Sequence, residues 1–267
     1  MAPTHVALVT GGGRGIGAAV ARSLCASGAA VFVAARSQDD CFGVAEELRE
    51  AGGTAWPLLL DVTDPDSIAE ALDTAADEAA DLGPVDWLVN NAGIAVSAPF
   101  LKHGRETGTD LYEQHLDVNF HGPRRLIEAL APGMLERGSG RIVNVASSAG
   151  LVGYAYVAAY CASKHALVGY SRSVAQELAG KGVTLNLVCP HYVDSPMTEA
   201  SIERIVAKTG RSPEDARAFF AAQNPGGELV TEEEVADVVR GFVTGDDHAK
   251  TVELIGGSAR TSDMNPV

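Results

Sequence analysis

Short apolar runs alternate with stretches of helical periodicity along the whole chain. The runs are HVALVT (5–10), AAVFVAA (29–35), AWPLLLD (55–61), DWLVNN (86–91), RIVNVAS (141–147), VTLNLVC (183–189) and TVELIG (251–256). They are rich in Val, Leu and Ile and apolar on both faces, as strands of a parallel sheet covered by helices on both sides are. Between them lie segments such as SIAEALDTAADEAADLG, where apolar residues recur at spacings of three and four. The alternation predicts a doubly wound α/β fold with about seven parallel strands and helices on both faces. No internal repeat or break in composition divides it, so residues 1–267 are expected to form a single domain. Two stretches interrupt the alternation. Residues 94–110 read as a polar loop, and residues 190–230 as a lid with short helical pieces; long segments at such places usually bind ligands.

Composition narrows the partners. Of 267 residues 46% are hydrophobic and 21% charged, so a large core can be buried. A formal net charge of −15 argues against nucleic acid, whose phosphates require a basic surface. No run of about 18 apolar residues suggests a membrane span. The start, MAPTHVALVTGGG, enters a strand without a basic leader, so a cytoplasmic location is expected. Cys25, Cys41, Cys161 and Cys189 are scattered, as reduced thiols are, and no metal site is expected.

The chemistry starts at TGGGRGIG (10–17), directly after the first strand and at the start of the first helix. Glycines let backbone amides approach a pyrophosphate, and a helix N-terminus favours its charge. The spacing Gly11, Gly15, Gly17 leaves three residues between the first two, unlike the fingerprint with one. At the end of the second strand Ala35 takes the place where an acidic residue would hold a ribose hydroxyl, and Arg36 follows. Arg14 lies within the glycine turn. Two guanidiniums near one ribose suit a 2′-phosphate, which favours NADP(H). If Arg36 is only a solvated surface residue, NAD(H) is accepted instead.

Tyr160 and Lys164 are four residues apart in YCASK, hence on one helical face and about 6 Å apart along the axis. A phenol ordinarily titrates near pH 10. A fixed ammonium beside it is expected to lower that value, the tuning a general acid or base needs. Such a pair is also ordinary helix surface, so other residues must support it. Ser147, thirteen residues before Tyr160, ends the fifth predicted strand, where parallel-sheet sites lie. Ser148 competes with it, and the thirteen-residue spacing favours Ser147.

Over essentially its whole length the chain resembles the short-chain dehydrogenase/reductase family. TGxxxGxG matches Thr10, Gly11, Gly15 and Gly17; NNAG matches Asn90, Asn91, Ala92 and Gly93; the catalytic set matches Asn119, Ser147, Tyr160 and Lys164. The resemblance implies a Rossmann-like fold and hydride transfer between a nicotinamide and a carbonyl carbon. In that scheme Tyr160 exchanges the proton, Ser147 positions the oxygen, Lys164 holds the ribose and Asn119 holds a relay water. The implied cofactor contacts include Gly13 and Ile16 in the glycine turn, Asp61 and Val62 at the adenine, and Asn91, Ala92 and Gly93 beside the ring. Tyr160, Lys164, Pro190, the Val193 backbone N–H and Ser195 complete them. Pro123, four residues after Asn119, has no N–H to give the Asn119 carbonyl, which would leave that oxygen for the water. The competing expectation is a helix that simply ends or kinks at FHGP.

Departures from the family pattern fall on the far side of the cofactor. In CPHYVDSPMTEA, His191 replaces a glycine and is expected to fill space against the lid, with substrate contact as the alternative. Ser195 replaces a threonine and keeps its hydroxyl. Lys102, His103 and Arg105 in the loop, with Arg204, Lys208, Arg211 and Arg217 in the lid, offer an anionic substrate arm a basic patch or are scattered surface charges. Segments around residues 133–150 and 160–190 look most like β-ketoacyl thioester reductases and aromatic polyketide ketoreductases. The resemblance implies a small ketone, secondary alcohol or acyl thioester as substrate, and a homo-oligomer, tetramer or dimer, built through helices at 110–137 and 155–180. An NAD-dependent alcohol or hydroxyacyl-CoA dehydrogenase, a non-catalytic dinucleotide sensor and a methyltransferase are the competing readings; the last has no use for YxxxK, NNAG or Arg36.

Overall fold

In the computed structural model, Val6 and Leu8 of the first strand turn to one face of the sheet and Ala7 and Val9 to the other. The model describes residues 5–102 and 110–265. Each strand side chain therefore has a helical layer to pack against, which is why the runs show no polar alternation. The parallel strands are β1 (Val6–Thr10), β2 (Ala30–Ala35), β3 (Thr54–Leu59), β4 (Trp87–Asn90), β5 (Gly140–Val145), β6 (Val183–Pro190) and β7 (Lys250–Leu254). Among the described residues an eighth, β8 (Ala259–Asp263), pairs antiparallel to β7. The order is β3-β2-β1-β4-β5-β6-β7-β8, so chain direction across the sheet reverses between β1 and β4. Ligands of such sheets bind outside the strand ends at that reversal.

Seven strands were expected, and the eighth is the correction. ARTSD carries no apolar run, and all five residues are exposed. Backbone pairing holds it, helped by a Lys250–Asp263 ion pair at 2.6 Å. At the opposite edge Pro57 in β3 is tolerated because an edge strand has no partner on one side.

One helical layer contains α1 (Gly15–Ala26), α2 (Gln38–Glu50) and, late in the chain, α9 (Glu232–Thr244). Leu24, Leu48, Val239 and Phe242 bury there against Val9, Val31 and Val33. The other contains α3 (Pro65–Glu78), α4 (Leu111–Leu116), α5 (Gly122–Arg137) and α6 (Ala158–Leu178). There Ile68, Leu126, Leu167 and Leu178 bury against Leu8, Phe32 and Leu185. Each fully buried side chain of this kind stabilises by about 1.5–3 kcal/mol. Residues 190–230 form α7 (Pro196–Thr209) and α8 (Pro213–Ala221), joined by their own small core of Ile202, Ala216 and Phe220.

The helices begin where capping chemistry places them. Asp64 caps α3 ahead of Pro65, and Thr231 with Glu234 forms a reciprocal capping box on α9. The expected long helix at 110–137 is interrupted. Residues Asp117–His121 form a π turn between α4 and α5, with the Gly122 N–H bonded to the Asp117 carbonyl. Pro123 follows at once and cannot donate to the Asn119 carbonyl. The helix neither ends nor stays regular; it widens at Asn119. Among the described residues no helix is long and apolar enough to cross a membrane.

Candidate active site

Ser147 lies two residues beyond β5 in extended backbone. Its hydroxyl accepts the Ala149 N–H at 3.1 Å, capping a 3-10 turn over Ser148–Gly150. α6 begins at Ala158, so Tyr160 and Lys164 stand in its first two turns. The Ser147 side chain lies near enough to the Tyr160 phenol to favour its ionisation. Ser147, not Ser148, thus faces the tyrosine.

The expected tuning of Tyr160 is overturned. Burial pushes its phenol up to about 12, and the nearby Ser147 only partly offsets this. Lys164 is 4% exposed, and burial pushes its ammonium down to about 8. Its Nζ donates to the Val145 carbonyl at 2.9 Å and lies 5.9 Å from the Tyr160 ring centre. An ammonium whose own charge is disfavoured by burial does little to favour a neighbouring phenolate. Tyr160 is held as a protonated phenol.

Asn119 is fully buried and its side chain is wholly engaged. Oδ1 accepts the Ile94 N–H at 2.9 Å; Nδ2 donates to the Ile94 carbonyl at 3.0 Å and to Ser163 Oγ at 2.9 Å. Ser163 in turn donates to the Tyr160 carbonyl at 2.8 Å. The side chain therefore ties the segment after β4 to the helix that carries Tyr160. His115 adds a second tie, its Nε2 accepting the Val96 N–H at 3.0 Å.

The dinucleotide side is built from close approaches. A Cβ on Gly17 would stand 2.0 Å from the Gly11 carbonyl oxygen, and Gly11 has φ +64°, so only glycine fits this turn. Thr10 Oγ1 accepts the N–H groups of Asn91 and Ala92, each at 3.0 Å, and Asn91 Nδ2 donates to the Thr10 carbonyl at 3.0 Å. These bonds fasten the glycine turn to the end of β4 across the reversal point. A Cβ on Gly93 would stand 3.3 Å from Asn119 Oδ1 and 3.7 Å from Lys164 Nζ, which joins both halves of the site.

These residues fit a dinucleotide. The N-terminus of α1 has no side-chain cap and no acidic residue in its first turn, whereas α2, α3, α8 and α9 cap themselves. Its amides are left for an anion. Arg14, at the start of α1, and Arg36, after β2, are both exposed. Gly13 packs on Asp40, and Ile16, in the first turn of α1, packs against the core. Asp61 Oδ1 accepts from the Thr63 backbone and hydroxyl at 2.9 and 2.7 Å. The Val62 side chain is buried and packs where a Gly122 Cβ would stand. Pro190 ends β6, Val193 is buried beside Val230, and Ser195 starts α7 without capping it, which leaves its hydroxyl for a ligand.

His191 is nearly buried and carries polar partners as well. Its Nε2 lies 2.7 Å from Glu253 Oε1 and its Nδ1 3.4 Å from the Tyr154 hydroxyl, which donates to Ser148 Oγ at 3.0 Å. Tyr154 and Glu253 were missed in the sequence. Glu253 is 62 positions from His191 and meets it only because β6 and β7 are neighbours. The expected basic patch is also changed: Arg217 is taken by Asp194 and Glu199 at 2.6 and 2.7 Å. Arg204, Lys208 and Arg211 remain on the lid surface. His103 and Arg105 lie outside the described residues, as does the side chain of Lys102. Val152, Tyr156, Met197 and Phe219 are large apolar or aromatic side chains left exposed. Tyr156 has φ +66°, a strain of about 1–3 kcal/mol, and its carbonyl accepts the Ala98 N–H at 2.8 Å.

Comparison with known proteins agrees with this geometry. A family model described as short chain dehydrogenase matches residues 5–205. A protein of Streptomyces coelicolor named as a candidate ketoacyl reductase is 41% identical over 88% of each chain. The 3-oxoacyl-acyl-carrier-protein reductase FabG of Escherichia coli is 36% identical over 94% of this chain and 96% of its own. A crystal structure of an actinorhodin polyketide ketoreductase variant with NADPH superposes with a TM-score of 0.87 at 37% identity, over 96% of this chain and 98% of that one.

Proposed function

The chain belongs to the short-chain dehydrogenase/reductase family of oxidoreductases, and we propose that it reduces a ketone to a secondary alcohol with NADPH. The favoured substrates are a 3-oxoacyl thioester or a polyketide, the classes named for its relatives. The observation that carries the reading is the placement of Tyr160 beside Ser147, with Lys164 one helical turn on and its Nζ 5.9 Å from the Tyr160 ring centre.

The nicotinamide, when bound, supplies two electrons as hydride to the carbonyl carbon. Ser147 and Tyr160 both bind the carbonyl oxygen, which gains negative charge as the carbon is reduced. Tyr160 gives its proton to that oxygen, and the product is a neutral alcohol. A phenol that burial keeps protonated is suited to this direction. Lys164 then stands beside a phenolate that needs a proton, and the Asn119 carbonyl, with no donor at Pro123, is placed to hold the water that brings one. Arg14 and Arg36 hold the 2′-phosphate, and the amides of α1 the pyrophosphate. Arg204, Lys208 and Arg211 would meet the anionic arm of an acyl thioester.

The test is NADPH and NADH oxidation against a panel of ketones that includes acetoacetyl-CoA. Tyr160→Phe should lower turnover by about 10²–10⁴-fold while NADPH still binds. Binding of NADPH by the wild type with no turnover on any ketone would make the protein a sensor.

A further inference from the structure

Four polar side chains from distant parts of the chain meet beside the catalytic serine. Glu253 comes from β7, His191 from the residue after β6, Tyr154 from the loop before α6, and Ser148 from the turn that Ser147 caps. They are joined in that order at 2.7, 3.4 and 3.0 Å. The His191 side chain is only 7% exposed and Ser148 is buried. A row of apolar side chains would pack here at lower cost, since buried polar groups only recover what desolvation takes. So costly an arrangement points to a ligand.

Proton placement shows what the row offers. A carboxylate only accepts, so His191 Nε2 carries a proton toward Glu253. The imidazole is thereby fixed in orientation, and its Nδ1, 3.4 Å from the Tyr154 oxygen, supports that ring by contact only, because the single Tyr154 hydrogen goes to Ser148. The Tyr154 O–H donates to Ser148 Oγ. A hydroxyl has one hydrogen, and that of Ser148 is left to give elsewhere. Ser148 directly follows Ser147, whose side chain lies near the Tyr160 phenol. Tyr154 also stacks edge-on against Tyr192, ring centres 6.1 Å apart, and Tyr192 meets Phe220 of the lid. The row therefore runs from the neighbour of Ser147 to the lid.

We infer that Tyr154 and Ser148, held by His191 and Glu253, form a second oxygen-binding arm of the substrate site, which selects ketones bearing another oxygen near the one reduced. Tyr154 and Ser148 touch the substrate; His191 and Glu253 are positioning residues. The inference rests on the ketone-reductase reading and adds the residues that select its substrate.

The test compares ethyl acetoacetate with 2-heptanone, each seven chain atoms long, which differ in the ester group beside the ketone. Tyr154→Phe and Ser148→Ala should each lower the preference for the ester by about 10-fold, through KM, and leave 2-heptanone within about 2-fold. Intrinsic reactivity cancels because each variant is compared with wild type. His191→Gly and Glu253→Leu should shift the preference the same way, and Glu253→Gln, which keeps an acceptor for Nε2–H, should restore it. NADPH affinity, read by fluorescence, should be unchanged throughout and reports folding. An unaltered preference in both Tyr154→Phe and Ser148→Ala overturns the arm, as does an equal loss on both ketones with NADPH affinity intact. If the wild type oxidises NADPH with neither ketone, the reductase reading falls and the arm with it.

Discussion

Lys164 Nζ gives its hydrogen bond to the Val145 carbonyl, 2.9 Å away, and stands 5.9 Å from the centre of the Tyr160 ring. The ammonium is therefore held by the sheet, one turn beneath the phenol. The two groups titrate in the reverse order of free side chains, Lys164 near 8 and Tyr160 near 12. Between those values the site holds a neutral amine and a neutral phenol. Reduction needs the phenol's proton and, for its renewal, the ammonium. Its kcat/KM should be level below pH of about 8 and fall above it, whereas alcohol oxidation, which needs phenolate, should rise with pH. A reduction rate that climbs through pH 8–10 would show that Lys164 is not required charged.

Lys164 also predicts how stability follows pH. Its ordinary value is 10.5, and folding lowers it to about 8. Between these the unfolded chain binds a proton that the folded chain does not, so stability rises with pH across that window. Lys164→Met removes the dependence. The variant should gain on wild type most below pH of about 8, and the gap should close toward 10.5. Urea midpoints at about pH 7 and about pH 9.5 measure this, and an equal gap at both would contradict it.

Arg36 is exposed at the end of β2, the place of an acidic ribose ligand in NAD sites. Arg36→Ala should weaken NADPH by about 10–100-fold, the worth of one charge-assisted hydrogen-bonded pair, and leave NADH nearly unchanged. Equal losses for both cofactors would remove the 2′-phosphate assignment.

Pro123 follows the π turn that holds Asn119. Pro123→Ala returns an N–H to the ladder, and the Asn119 carbonyl becomes an ordinary helical acceptor. Turnover should drop about 10-fold from misplacement of the proton path, with NADPH KM unchanged and thermal stability equal or higher. Full turnover in a stable variant would show that the carbonyl serves no relay.

Much of this was readable from local pattern. Seven strands were marked by apolar runs because a sheet covered on both faces admits no polar alternation. β8 was not, since ARTSD is held by backbone bonds to β7 and buries none of its side chains. The glycine turn was readable because a Cβ at Gly17 has no room, a constraint that excludes every other residue type. The spacing of Tyr160 and Lys164 on α6 followed from helical geometry alone.

The sequence by itself thus determined the sheet, the dinucleotide turn and which residues share a helix face, because these depend on neighbours a few positions apart. Only the tertiary structure decided that Tyr160 titrates up instead of down, since burial depends on what packs around it. It alone brought Glu253 to His191 and Tyr154 to Ser148, for hydrogen bonds form between groups adjacent in space, and strand order, not chain order, sets that adjacency.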